Sequence, residues 1–508
     1  MRHSTRRIMA ATITVAAIFL ISLDLHASPW YSLYFSRDTT FTGRGNLDEK
    51  LLDINVVGCA NYIKRIVFSL DACPRDVSEV RLVQDGTTLR KWHIRKWGLR
   101  SHRTLSVRLG TKVNDTLTMS LVMDVRKDAT EGGLVRADVE KACFRGYSMI
   151  PEKPSGKGRE ILLARKCLFR PGDYGSKYWR IPAIRQLQDG TLLVVNDRRN
   201  NSEKDLPSEI DVVTRYSTDG GYTWTEPAYI ARNKGYMFGY GDPSLVELED
   251  GTVICNFCGG EAFYRSTLDN PQRSYYAVSK DHGRTWTDPI EVTSRIWGPD
   301  AANPFCKRYH SSFFSSGNSL ILTHGEHKGR ILTANVTTYD GWPELCNHAV
   351  YSDDGGKTWE VSGLAFGPGG DEAKMVQLKD GRVLMSIRQS GERAYVISED
   401  GGETWGEPST WPEMCVTACN GDLIRYNDEI LLHTVPNSMK RENVSVFLSF
   451  DEGRTWPEHK TICAHGSQYS SITVMPDGTI GAYIEENPDR NGTQLWFERF
   501  SLEWLRSR

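Results

Sequence analysis

The chain has 508 residues, with 62 basic side chains against 64 acidic ones, and it is rich in glycine. That length allows roughly two to four domains, and the near-zero net charge excludes the broad positive field of a general nucleic-acid or membrane-surface binder. Plentiful glycine with dispersed proline and healthy aromatic content suits an all-β protein with many tight turns.

The N-terminus reads as an export signal over residues 1–27. Arg2, Arg6 and Arg7 form a positive head, Ile8 to Ile21 is an uncharged apolar run, and Ala27 offers a cleavage point after the polar break at Asp24. The run falls short of the roughly 20 residues a membrane span needs. The expectation is an exported protein, periplasmic or secreted, with no stable membrane insertion once the signal is removed. Export permits one or two disulfides among the eleven cysteines, with no readable pairing.

Residues 28–152 read as a small β-sandwich: short strand-like runs such as Glu79 to Val83 and Thr116 to Val125 alternate with turns such as Gln84-Asp85-Gly86. Leu89 to Arg108 combines basic residues with Trp92 and Trp97, a mixture that suits either an anionic glycan or a solvated strand face. Pro151 to Gly158 is a linker by composition.

Residues 153–508 repeat. Ser-x-Asp-x-Gly-x-Thr-Trp recurs at Ser217 to Trp224, Ser279 to Trp286, Ser352 to Trp359, Ser398 to Trp405 and Ser449 to Trp456. Each copy is a hairpin tip in which the aspartate accepts backbone N–H groups, glycine takes a positive φ and tryptophan covers the turn. Further turns fall at Asp189-Gly190, Asp250-Gly251, Ser316-Gly317-Asn318, Asp380-Gly381, Asn427-Asp428 and Asp477-Gly478. Six first hairpins and five second ones imply a six-bladed β-propeller, closed by pairing an N-terminal strand with the last blade. The boxes themselves read as structural, since they sit on the outer rim.

Neither cysteine nor histidine spacing carries a metal reading. Cys255-Asn256-Phe257-Cys258 has knuckle spacing but no second pair, and His324-Gly325-Glu326-His327 lacks a third ligand.

With the Arg180-Ile181-Pro182 tripeptide opening the repeats, the chain resembles the exo-α-sialidase family with Asp-box (BNR) repeats, bacterial type with an N-terminal β-sandwich. The resemblance covers the whole repeat region. It implies three arginines that clamp a substrate carboxylate: Arg180, Arg388 at the end of Ser386-Ile387-Arg388, and Arg441 in Arg441-Glu442-Asn443. Guanidinium is always charged and binds carboxylate bidentately, so several together fix orientation. It further implies Tyr469 as nucleophile, an exception to two-carboxylate glycosidases, with Glu372 as its base because a phenol is mostly protonated at neutral pH. Asp205, on a loop with rivals Glu203 and Glu209, matches the acid. Arg199 and Asp242 match pocket positions that contact sugar substituents, and Glu485 matches the acid steadying the first arginine, with Glu486 as its alternative.

Two departures from the family pattern stand out. Asn196-Asp197-Arg198-Arg199 replaces an alanine-flanked aspartate, and Asp371-Glu372 leaves two candidate bases side by side. The function implied is hydrolysis of terminal sialic acids from glycans with net retention, with no metal, cofactor or protein partner. Trans-sialidase or intramolecular trans-sialidase action shares every one of these features. A non-catalytic glycan-binding propeller predicts gaps in the constellation.

Overall fold

The computed structural model describes residues 32–34, 41–57, 61–96, 98, 100–114, 116–150, 158–301, 303–339, 342–487 and 492–507. The export signal, Trp97 and most of the linker lie outside them. Among the described residues no helix is long and apolar enough to cross a membrane, and the described cysteines are free thiols.

Two sheets form the N-terminal part. One runs Ser32–Tyr34, Glu49–Val57, Thr116–Val125, Val77–Gln84, Thr87–His93 in spatial order. The other runs Phe41–Gly43, Arg159–Leu162, Leu134–Phe144, Asn61–Asp71, His102–Val113. Alternating apolar residues of both, among them Ile54, Val56, Ile66, Phe68, Leu121 and Val139, share one core. The strand Arg159–Leu162 comes after the linker yet pairs in parallel with Phe41–Gly43, so the N-terminal sheets extend past residue 152. The basic stretch from Leu89 divides between the sheets. Lys91 and His93 both pair with Glu79 at 3.0 Å, and Trp92 packs edge-on against core residue Phe68.

Beyond the linker the sheets are antiparallel, apart from one short parallel pair between Tyr240–Glu247 and Gly317–Asn318. The first contains Tyr178–Gln186, Leu192–Arg199, Ile210–Ser217 and Ala228–Ala231. Similar sets start from Tyr240–Glu247, Tyr309–Phe314 and Ala373–Gln377. The long strand Glu458–Val474 then serves two sets: its first half pairs with Glu442–Ser449 and its second with Ile480–Glu486. The last set is completed by Gln494–Phe500 and by Ala164–Phe169, which comes from the start of the repeat region.

The five boxes share one geometry. In the first, Asp219 Oδ1 accepts the amides of Tyr222 (3.0 Å) and Thr223 (2.9 Å), Oδ2 accepts the Thr223 hydroxyl (2.6 Å), and Ser217 Oγ accepts the Gly221 amide (2.9 Å). The box glycine has positive φ and is pressed against the preceding sheet. A side chain at Gly221 would strike Phe497, one at Gly283 Leu193, one at Gly356 Ile254 and one at Gly402 Leu332. Four of the five boxes thus staple their sheet to the one before, the first of them onto the last sheet.

One expected turn is absent. Ser316-Gly317-Asn318 does not close a hairpin; the chain continues inward, Gly317–Asn318 pairs in parallel with Tyr240–Glu247, and the reversal comes later, between Leu320–Ile321 and Ile331–Tyr339. Ser-Gly-Asn suits any backbone that needs a positive φ, and here Gly317 (φ 105°) uses it for a kink rather than a turn. His324 and His327 sit on that later reversal, where His324 Nε2 faces the Leu378 carbonyl at 3.2 Å.

Candidate active site

At one end of the sheet assembly, side chains from distant parts of the chain meet around the Tyr469 ring. Arg180, Arg388 and Arg441 place their guanidinium carbons 5.3, 5.9 and 5.7 Å from the ring centroid. A cavity of about 450 Å³, lined in part by Tyr178, Arg180, Glu203 and Gln468, opens beside them.

Arg180 is positioned by an irregular strand. Between Arg180 and Ala183 the pairing with Leu192–Arg199 slips by a residue, and Ile181 takes φ 61°. That kink is held by Glu485, whose side chain is fully buried. It accepts Arg180 Nε at 2.8 Å and Nη2 at 3.1 Å, the Ile181 amide at 2.7 Å and the Tyr469 amide at 3.4 Å. One carboxylate therefore orients the guanidinium, the kink and the tyrosine backbone together. The neighbouring Glu486 points to the other face of its strand and pairs with buried Arg165, which also holds Glu498 at 2.8 Å. The choice between the two acids falls on Glu485.

Arg388 Nη1 lies 2.5 Å from Glu372 Oε2 and 2.7 Å from Tyr469 Oη, and its Nε is 3.1 Å from Asp371. Arg441 differs from both: it donates to Gln468 Oε1 (2.8 Å) and the Ala418 carbonyl (3.4 Å), and no carboxylate of the described residues pairs with it. It is the cation most available to an incoming anion.

The Tyr469 hydroxyl donates to Glu372 Oε2. The other oxygen of Glu372 accepts Asn420 Nδ2 at 3.0 Å and the Ser316 hydroxyl at 3.2 Å. Glu372 is 2% exposed, and every lone-pair direction has a donor, so its position is over-determined. Asp371, the rival base, makes no contact with the phenol and instead faces Arg388 Nε. Burial, and next the Glu372 charge, push the Tyr469 phenol well above its ordinary value, with Arg388 and Arg180 opposing.

A second cluster lies across the cavity. Buried Arg199 donates twice to Asp197 Oδ2 (3.1 and 3.0 Å), once to the Glu203 carbonyl (2.5 Å), and pairs with Asp205 at 2.7 Å. The Asp205 side chain is 77% exposed on its loop. Surrounding protein works to raise its pKa, but Arg199 and Arg180 outweigh that and leave it below the ordinary carboxylate value. Asp242 (φ 57°) directs its amide to Asp197 Oδ1 at 3.0 Å, and Cys258 Sγ lies 3.3 Å from its carboxylate. Burial first, then the charges of Asp197 and Asp205, raise the Asp242 carboxyl well above its usual range.

Known proteins with the same pattern give this geometry a context. The family described as "BNR repeat-like domain" matches residues 208–482. A sialidase of Micromonospora viridifaciens is 31% identical over 376 residues, 69% of this chain and 56% of that protein. The chain belongs to the BNR-repeat sialidase family. It spans little more than half the length of the Micromonospora relative, and 68% of a Bacteroides fragilis sialidase that is 28% identical. Among solved structures, the Hadza microbial sialidase Hz136 superimposes with a TM-score of 0.74 at 20% identity, covering 93% of this chain and all of that one. An intramolecular trans-sialidase from Ruminococcus gnavus superimposes at 0.59 over 67% of this chain.

The structure brings all nine sequence-derived BNR-sialidase positions to one mouth. It adds residues that the sequence does not mark for the site: Asn420 and Ser316 on Glu372, Gln468 on Arg441, and Cys419, which packs with Ile181 against Tyr469. Asp197, visible only as a departure from the family pattern, is the residue that fixes Arg199. Among the described residues no three histidine, cysteine or acidic side chains converge as a metal cage.

Proposed function

We propose that the protein is an exported exo-α-sialidase: a six-bladed β-propeller with an N-terminal β-sandwich that hydrolyses terminal sialic acids from glycans with retention, using Tyr469 as nucleophile. The observation that carries this is the meeting of three guanidiniums around a phenol that is hydrogen-bonded to a buried carboxylate. The curated relatives named as sialidases support it.

In this mechanism the substrate carboxylate lodges between Arg441, Arg180 and Arg388, where bidentate pairing fixes the sugar. A carboxylate nucleophile would meet repulsion from that group, and a neutral phenol does not. The raised pKa of Tyr469 means that its oxygen attacks only as its proton leaves, and Glu372 Oε2 is already the acceptor. Arg388 lies against both oxygens and stabilises charge as it passes between them. Asp205 serves as the acid. Ion pairing with Arg199 holds it ionised in the free protein. Substrate neutralises part of the nearby positive field, which raises the carboxyl towards the protonated form needed to donate to the leaving oxygen. Asp242 faces a polar substituent of the sugar.

The test is Tyr469→Phe. Phenylalanine preserves the ring among the guanidiniums, and Glu372 keeps Arg388, Asn420 and Ser316, so folding survives while turnover of a fluorogenic sialoside falls by orders of magnitude. Turnover within a few-fold of the parent would overturn the nucleophile assignment. Mass analysis of the released sugar separates hydrolysis from transfer, since water adds to the free acid and an intramolecular product lacks it.

A further inference from the structure

The basic stretch that begins at Leu89 ends on Arg108, which lies on the strand His102–Val113 beside Asn61–Asp71. On these two strands and on Leu134–Phe144, residues such as Ile66, Phe68, Val107 and Ala142 face the shared core. The alternate positions therefore point outward. On that outer face Arg108 stands directly opposite Arg65, and Arg65 is in turn opposite Cys143. One row along, Lys141 is opposite Val67; towards the other end, Lys112 is opposite Tyr62. Arg65, Arg108, Lys112 and Lys141 are all exposed, and the Tyr62 side chain beside them is 42% exposed.

None of the four cations forms an ion pair with a carboxylate of the described residues. Two acids of the same strands, Asp71 and Asp138, sit at the far end, where His102 meets the first at 2.6 Å and Arg136 the second at 3.1 Å. The third, exposed Glu140, falls where the pairing slips between Val67 and Phe68, next to Lys141 in the chain. Opposite residues on antiparallel strands are about 5 Å apart at Cα, and like charges placed so destabilise the sheet. A threonine at either arginine position would suit the strand better. The fold gains nothing from this row, so its counter-charge comes from outside the molecule.

The shape of the patch narrows what supplies it. The whole chain carries a net charge of -2, so the positive field is local and lacks the breadth that a nucleic-acid duplex or a lipid surface exploits. The four cations cross three neighbouring strands of one sheet, which suits an extended chain with an anion on each repeat. We propose that this face docks a linear anionic polysaccharide. The adjacent forks of Arg65 and Arg108 take its carboxylate or sulfate groups, Lys141 and Lys112 hold the flanking ones, and the Tyr62 ring lies against a sugar. The surface is distinct from the mouth at Tyr469, and it stands whatever reaction that mouth performs.

The experiment is calorimetric titration of the full chain with chondroitin sulfate, which carries carboxylate and sulfate but no sialic acid. Saturable binding that weakens with added salt is expected, and none of neutral dextran. Arg65→Gln and Arg108→Gln should each weaken it roughly fivefold. Neither should lower the melting temperature, because each relieves the repulsion between them. Lys141→Glu, which reverses a charge, should weaken it further, and Lys357→Gln, an exposed cation of the third box, should leave it intact. Absence of saturable binding at low salt overturns the proposal, as does unchanged affinity in Arg65→Gln, Arg108→Gln and Lys141→Glu alike. A lowered melting temperature in both arginine variants would assign the pair to the fold and overturn it too. Tighter binding of duplex DNA or of phosphatidylglycerol vesicles than of chondroitin sulfate would overturn the choice of a polysaccharide.

Discussion

Replacing Glu485 by glutamine separates catalytic orientation from bulk stability, because its neighbour supplies the control. Glu485 accepts four donors on two oxygens and is fully buried. An amide keeps the shape but loses the charge, and its NH₂ must face a donor, either an Arg180 nitrogen or a backbone amide. Removing the charged partner of a largely buried guanidinium costs roughly 3–5 kcal/mol, so the urea midpoint falls. Arg180 also loses its two-point anchor, and misplacing one of three carboxylate-binding groups should raise KM for a fluorogenic sialoside roughly 10- to 100-fold. Glu486→Gln alters an equally buried acid one residue away, but its partner Arg165 retains Glu498 and touches nothing at the Tyr469 mouth. That variant should lose stability with KM unchanged. If both raise KM alike, or if Glu485→Gln leaves KM where it was, Glu485 does not act through Arg180 and the reasoning fails.

Asp205→Asn should slow lactose-linked sialosides far more than aryl sialosides, whose leaving group needs no proton; equal losses on both would remove Asp205 from the acid role. The Glu498 carboxyl is pushed up to about 7, by burial first, with Arg165 opposing and Glu486 adding to the rise. A carboxyl whose folded pKa is raised gives stability that is full below about 4.5 and is lost as pH climbs through about 7. Melting should therefore be higher at pH 5 than at pH 8, and Glu498→Gln should flatten that slope; an unaltered slope would place the titration elsewhere. Asp281→Ala removes acceptors for the Arg284 amide (3.2 Å), the Thr285 amide (2.8 Å) and two hydroxyls. It should cost about 1–3 kcal/mol without changing kcat/KM, as measured by urea denaturation and steady-state hydrolysis.

The boxes are legible in the sequence because their chemistry is local: an aspartate, the two amides three and four residues on, and a glycine all lie within one turn. Their spacing then carries the order of the sheets. The candidate site is legible only through family resemblance, and the reason is physical. Tyr469 and Tyr483 are both buried tyrosines on strands of the last sheet, yet Tyr469 faces Glu372 whereas Tyr483 donates to Asn196 at 2.9 Å. Nothing in the flanking residues separates them, because the partner lies about a hundred positions away. Ser316 to Asn318 misleads for a related reason. Turn-forming residues report a local backbone conformation and not the direction the chain takes afterwards, and here that conformation steers the Ser316 hydroxyl onto Glu372. The Arg165 network leaves no local pattern at all in the sequence.

That Ala164–Phe169 completes the final sheet has a bearing on biogenesis. Cys167 lies opposite Trp496, roughly 330 residues later, and at the ribosome's pace of about 5–20 residues per second the earlier strand waits some 15–65 s for its mate. Throughout that interval an unmatched edge is on offer to other nascent chains. A premature stop anywhere before Gln494 would leave it so permanently, which makes late truncations a greater aggregation hazard than their small length suggests.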